Sequence, residues 1–251
     1  MNAKGYYLAL TILVMVCTLL QAQSSTFHNR DSAFQQAIQF YHEKLGDQSN
    51  IYNGSLYLRS QEKIHEGHPF FDSEQLQKGS VRCDGLWYHT VPLLFDEVND
   101  ELITTDISGL QLIRLVKSKV DAFRISGHNF LNLSGSVFSE LIDASSATRG
   151  RYYRMLYEGE SMVLQKERKF IRQKIIRENE YYRFVQTQVS YYLVINNKLY
   201  SADNTRNFFN AFGSHKKIVQ DHLRSGGFNF REAKEPAIIE AVKFYDKQVA
   251  R

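Results

Sequence analysis

The chain has 251 residues, with 31 Lys and Arg against 27 Asp and Glu, a net charge of +4, and 17 Phe, 15 Tyr and one Trp. So small a charge demands no anionic partner, and so many aromatic side chains support a packed core without covalent staples. The two cysteines, Cys17 and Cys83, set the redox question taken up next.

Lys4, the uncharged and mostly apolar residues 6–20, and the small residue Ala22 have the three parts of a secretory signal peptide, with cleavage near Ala22. The apolar run is 15 residues, short of the roughly 20 that a helix needs to cross a bilayer, so no retained membrane span is expected. Val16 stands before Cys17 where a lipid anchor needs a small residue, and the apolar run continues past it. Cleavage of residues 1–22 would remove Cys17 and leave 229 residues with Cys83 as the one thiol and no intramolecular disulfide. The expected location is periplasmic or extracellular, which also takes nucleic acid off the list of partners.

Residues 23–50 are expected to be a helical segment. Asp31 can cap it, and Phe34, Ile38 and Tyr41 share one face at spacings of four and three. Asn53-Gly54 and Gly67-His68-Pro69 then punctuate a loop-rich approach. From Gly79 the period changes to that of strands. Asp84-Gly85 lies between two short apolar runs and reads as a hairpin turn. Asn99-Asp100 separates 92–95 from 101–105, and Ser108-Gly109 leads into a strand over 110–117 with apolar side chains on both faces. Residues 120–125 follow as a strand. Glu158-Gly159 joins 151–157 to 160–165, and Asn196-Asn197 joins 191–195 to 198–202. Turn signals this closely spaced favour an antiparallel meander over parallel crossovers.

Residues 203–251 return to helix. Asp203 is a capping candidate for 204–212, Ser225-Gly226-Gly227 ends a helix begun near Lys216, and Pro236 opens a last one with Ile238, Ile239, Val242 and Tyr245 on its apolar side. The expected fold class is α+β: a twisted antiparallel β-meander over 51–202, with the option of partial closure. An N-terminal helix and a C-terminal helical cap would pack on the same domain.

Several of these motifs occur together in a known family. Ile51-Tyr52-Asn53-Gly54, Gly67-His68-Pro69-Phe70-Phe71, Gly79-Ser80-Val81 with Asp84-Gly85, Val91-Pro92-Leu93 and Phe95-Asp96 resemble an uncharacterised family of exported proteins from Bacteroidetes. Tyr191-Tyr192-Leu193-Val194, the Asn196-Asn197 turn and the Lys- and His-rich helical end match its C-terminal part. The resemblance implies an envelope location and, since the family has no established activity, carries over no catalytic residue. Tyr is commoner in that pattern where this chain has Cys83, which argues against a role for the thiol shared across the family.

Four sets of residues could carry chemistry. His65 and His68, with Glu62, Glu66 and Asp72 nearby, are the candidate metal ligands. Their spacing is not His-Glu-x-x-His, and Gly67 with Pro69 forbids a regular helix, so a structured turn is the competing reading. Asp84, Asp96, Asp100 and Asp106 include candidate carboxylate pairs for glycoside hydrolysis, yet each lies in or beside a turn that favours Asp for local hydrogen bonds. Cys83 and His89 would make a thiol–base pair only if brought within hydrogen-bond reach. No Gly-x-Ser-x-Gly elbow, phosphate-binding loop or dinucleotide fingerprint is present. The Tyr residues at 152, 153, 157, 181, 182, 191, 192 and 200 read first as strand and core residues, since doublets place one ring on each face.

The segment 166–183 holds seven Lys and Arg against three Glu. It reads as a short basic helix or connector with Phe170, Ile171 and Ile175 on one apolar edge. Lys166, Arg168, Lys169, Arg172 and Lys174 would be available to anionic envelope components. No cofactor is implied. The reading that fits best is a non-catalytic binding or scaffolding domain of the envelope. A carrier of lipid or another apolar ligand, and an envelope-polymer hydrolase, are the alternatives.

Overall fold

A computed structural model describes residues 50–133, 152–177 and 180–249. The expected signal peptide and the helix expected within 23–50 lie outside the described residues. Within them the chain forms one antiparallel sheet of ten strands: β1 (Gln77–Cys83), β2 (Leu86–Asp96), β3 (Glu101–Thr105), β4 (Leu112–Arg114), β5 (Val120–Ile125), β6 (His128–Asn132), β7 (Tyr152–Glu158), β8 (Met162–Arg177), β9 (Glu180–Ile195) and β10 (Lys198–Ser201). Its order is β10-β9-β8-β7-β6-β5-β1-β2-β3-β4, which is open. This is two meanders rather than one. The first runs β1 to β4, then the chain returns to pair β5 with the free edge of β1, and the second runs on to β10.

Two of the predicted turns form as two-residue turns, because their residues tolerate positive φ. Asp84 and Gly85 have φ of 50° and 80°, and Asn196 and Asn197 have 50° and 62°. Ser126-Gly127 makes a further turn of this kind between β5 and β6, at a place where no hairpin is anticipated. The strand expected over 110–117 shrinks to Leu112–Arg114. The Asp106 carboxylate takes the N–H groups of Leu110 and Gln111, closing a loop that leaves Leu110 87% exposed.

A larger correction concerns 166–183, which is neither a short helix nor a connector. It belongs to the β8–β9 hairpin, whose ladder runs from Met162↔Val194 out to Arg177↔Glu180. Period-2 alternation puts Phe170 on one face and Ile171 and Ile175 on the other, so the expected apolar edge does not exist. The partner strand, rich in Tyr and Val, pairs with the inner edge of β8 along the whole length.

The sheet curls strongly about one face. In strand order β7 and β2 are four spacings apart, about 19 Å in a flat sheet. Yet the Tyr152 ring of β7 lies 5.6 Å from the Phe95 ring of β2, and Phe123 and Phe130 fill the space between. With Val81, Leu93, Val120 and Ile125 these rings form the main core. Burying each such side chain contributes about 1.5–3 kcal/mol.

Helices α1 (Thr205–Asn210), α2 (Lys216–Ser225) and α3 (Lys234–Val249) cover the β8–β10 end of the sheet. Phe208, Phe212, Val219, Leu223, Ile238 and Val242 pack with Val163, Leu193 and Ile195. Asn204, not Asp203, caps α1, accepting from the Asn207 N–H at 2.9 Å. Asp203 accepts instead from the Ser201 hydroxyl at 2.9 Å. Gly226 ends α2, and Pro236 sits in the first turn of α3, as predicted. Among the described residues no helix is long and apolar enough to cross a membrane.

Candidate functional site

The β8–β9 hairpin outruns its neighbours. β7 pairs with β8 only as far as Gln165, and β10 pairs with β9 only as far as Tyr192. Residues 166–177 of β8 therefore extend about 40 Å with no full strand of the described residues on their outer edge. Ile175 and Ile176, near the end of this arm, are 71% and 51% exposed.

At the root of the arm the β2–β3 turn, Asp96-Glu97-Val98-Asn99-Asp100, grips the free edge of β8. The Lys169 N–H donates to the Glu97 carbonyl at 3.3 Å. One carboxylate goes to each face: Asp100 pairs with Lys166 on one side, and Glu97 with Lys169 at 3.1 Å on the other. Lys117 adds a second ammonium to Asp100 at 2.5 Å, and Lys169 also donates to the Phe70 carbonyl. The side chains of Lys166 and Asp100 are 4% and 7% exposed, so this is a buried ionic cluster. Burial would raise the Asp100 carboxyl, but Lys166 and Lys117 outweigh it and hold the pKa below the ordinary value. Glu97 goes the other way. Burial and the nearby Glu167 carboxylate push its pKa up to about 7, against the pull of Lys169.

The approach segment straps the arm from the opposite edge. Residues 55–57 bond to the outer edge of β4, with Arg114 N–H to the Ser55 carbonyl and Tyr57 N–H to the Leu112 carbonyl, both 2.8 Å. The segment then reaches β9, where the His65 N–H donates to the Arg183 carbonyl and the Val185 N–H to the Glu66 carbonyl, both at 2.9 Å. Side chains reinforce the contact. His65 stacks on Tyr182 with centroids 4.9 Å apart, the Tyr182 hydroxyl donates to Glu66 at 3.3 Å, and Arg183 pairs with Glu62 at 3.4 Å. The strap returns to β2 through Phe71 N–H to the Phe95 carbonyl.

Between strap and arm lies a pocket of about 330 Å³, walled by Tyr57, Arg59, His68, Asp96, Asn99 and Ile171, among others. Its buried carboxylate, Asp96, is fully occupied, while Glu62 on the wall pairs with Arg183. Asp96 accepts from the Tyr57 hydroxyl at 2.8 Å, from the Val98 and Asn99 N–H groups at 2.9 Å, and from the Asn99 amide at 2.7 Å. Burial and Asp96 raise the Tyr57 pKa, which keeps the phenol protonated. The guanidinium of Arg59 donates to the Glu74 carbonyl and lies 5.0 Å over Phe70. The buried His68 Nδ1 alone among these groups makes no hydrogen bond within the described residues.

The residues singled out in the sequence disperse. His65 turns onto the arm and His68 into the pocket wall, and among the described residues no three His, Cys, Asp or Glu side chains gather as metal ligands. Asp96 and Asp100 share one turn but face different partners, while Asp84 and Asp106 lie in separate loops. Cys83 pairs across from Leu86 and is buried, with burial and then the Asp84 and Asp121 carboxylates pushing its thiol up to about 12. His89 lies further along β2, exposed, bonded to the Ser80 hydroxyl and stacked near Trp87. Tyr152 and Tyr153 are buried on opposite faces, and Tyr181 and Tyr182 divide between the two faces of the arm.

Of the five cations expected to meet anions, two are withdrawn: Lys166 and Lys169 are anchors inside the root. Arg168, Arg172 and Lys174 remain, together on the even-numbered face of β8. Glu97 and Tyr57, which hold root and strap together, carry no local sequence signal, because their partners lie 72 and 39 residues away. No family model, curated protein or solved structure matches the chain.

Proposed function

We propose that this is an exported envelope protein, of the Bacteroidetes-like type its motifs resemble, with a non-catalytic binding role. The curled sheet and its helical cap serve as the platform, and the β8–β9 arm is the working element. Export rests on Lys4, the apolar residues 6–20 and Ala22.

The observation that carries the reading is the investment in the arm. A buried cluster of Asp100, Lys166 and Lys117, a second pair of Glu97 and Lys169, and a strap on the opposite edge all hold an extension that adds nothing to the core. Loops and extensions held by a rigid scaffold are where binding surfaces concentrate. Binding is favoured over hydrolysis because the buried carboxylates of the root turn, Asp96 and Asp100, are each saturated by fixed partners, and Glu62 of the pocket wall pairs with Arg183. It is favoured over lipid carriage because aromatic rings in mutual contact fill the inside of the curl.

The test compares the mature protein with a form in which residues 170–186 are replaced by Asn-Gly, so that Lys169 and Thr187 flank a two-residue turn. Retained helical dichroism and cooperative melting would confirm that the platform folds. Sedimentation with isolated cell-envelope material is expected to retain the mature protein and to lose at least tenfold on shortening the arm. Equal retention of the two forms refutes the reading.

A further inference from the structure

The fold sorts six of the seven basic residues of 166–183 into two populations, the seventh, Arg177, standing across from Glu180 at the far end of the ladder. Lys166, Lys169 and Arg183 are each matched to a carboxylate, Asp100, Glu97 and Glu62. Arg168, Arg172 and Lys174 form no ion pair among the described residues. They stand in one row, since residues two apart on a strand share a face. Their cross-strand neighbours are Gln188, Phe184 and Tyr182, none of them acidic.

These three cations are held in place without being neutralised. The guanidinium groups of Arg168 and Arg172 lie 5.0 and 5.3 Å from the Phe170 ring centroid, and Arg172 Nε donates to Gln186 at 3.1 Å. The Lys174 ammonium lies 4.7 Å over Tyr182, which the strap fixes through Glu66 and His65. A cation–π contact orients a cation and leaves its charge available. Side chains already ordered cost less to immobilise on binding. From Arg168 to Lys174 the row covers about 20 Å at the rise of a strand.

We propose that this row binds an acidic polysaccharide: a linear glycan lying along β8, its carboxylates engaged by the guanidinium forks and by Lys174. The proposal rests on the arm being the binding element. A line of fixed cations complements a line of fixed anions, and the planar fork suits carboxylate in particular. Phe184, across from Arg172 on the same face, supplies apolar surface for the C–H faces of sugar rings. A bilayer fits less well. Ile171 and Ile175 lie on the opposite face, so the cations of the row and these apolar side chains could not meet one membrane surface together.

The experiment measures binding of the mature protein to polygalacturonate at two salt concentrations, beside neutral dextran, poly-glutamate and phosphatidylglycerol vesicles. Two variants of equal charge are compared: R168Q/R172Q/K174Q on the row, and K217Q/R224Q/R231Q, which changes exposed cations of α2 and the segment after it. Both are expected to melt as the parent does. Polygalacturonate is expected to bind in a salt-sensitive manner, to weaken at least tenfold in the first variant, and to change less than twofold in the second. Equal weakening in both overturns the row as the site. Vesicles or poly-glutamate binding as well as polygalacturonate overturns the glycan. Arm-dependent retention on envelope material with no binding to polygalacturonate overturns the glycan while the binding role of the arm stands. Loss of that arm dependence overturns both.

Discussion

Glu97→Gln isolates a carboxylate whose surroundings oppose its charge. Glu97 is 2% exposed, and burial with the neighbouring Glu167 raises its pKa from 4.5 to about 7 although Lys169 stands 3.1 Å away. A raised carboxyl holds its proton more tightly in the folded chain than in the unfolded one. Its contribution to stability is therefore complete below pH 4.5, declines as pH rises from there, and is gone once pH has passed 7. At 1.36 kcal/mol per pKa unit the whole effect is about 3 kcal/mol, of which about 2.5 kcal/mol falls between pH 5 and pH 8. Gln keeps the shape and an acceptor for Lys169 but does not titrate. Urea unfolding of parent and variant at pH 5, 6, 7 and 8 is the assay. The parent is expected to lose about 2.5 kcal/mol more than the variant across that range, other titrating groups cancelling in the difference. Parallel pH profiles would refute both the burial argument and the account of the root that depends on it.

Two further outcomes follow from the geometry of root and strap. Lys166→Met leaves Asp100 with Lys117 alone in a buried site, and chemical unfolding should register a loss of about 3 kcal/mol, the range for breaking a buried pair. The double variant with Asp100→Asn should lose less than the sum of the two singles, and strict additivity would show that the pair is not coupled. A Cβ placed on Gly54 would fall inside the Arg114 carbonyl oxygen, which is backbone and cannot turn aside. Gly54→Ala is therefore expected to lift the strap off β4 and lower stability by about 1–3 kcal/mol or more. An unchanged melting temperature would count against the strap.

What could be read in advance was local. Asp84-Gly85 and Asn196-Asn197 declare their turns because the residues that adopt positive φ are the residues of the turn itself. Strand β5 forms over the predicted residues for the same kind of reason, its Val, Phe and Ile lying within six residues of one another. The candidate site was legible only as a concentration of charge. Nothing near Glu97 announces Lys169, because the two meet through a curl spanning several strands. Gly54 reads as turn punctuation, whereas its role is to let two backbones touch. The unexpected return of β5 to β1 has no local signature either, since it depends on which edge is free once β1 to β4 have paired.

That 166–183 is strand, and not the short basic helix or connector its sequence suggests, bears directly on the proposed role. At a helical period Arg168, Lys169 and Arg172 share a face, Lys166 falls nearby, and the basic residues form one diffuse patch. At the period of a strand Lys166 and Lys169 part to opposite faces, and each meets a carboxylate of the same turn. Arg168, Arg172 and Lys174 then line up beyond the reach of that turn. Alternation thus turns one basic segment into an anchor and a row of available cations. The two depend on each other, because a cationic row gains little from its order unless its root is fixed. A substitution that loosens the root, such as Lys166→Met, should therefore weaken binding at Arg168 and Arg172 without touching either residue. That coupling separates a designed arm from a merely charged one, and binding measured on the root variants reads it directly.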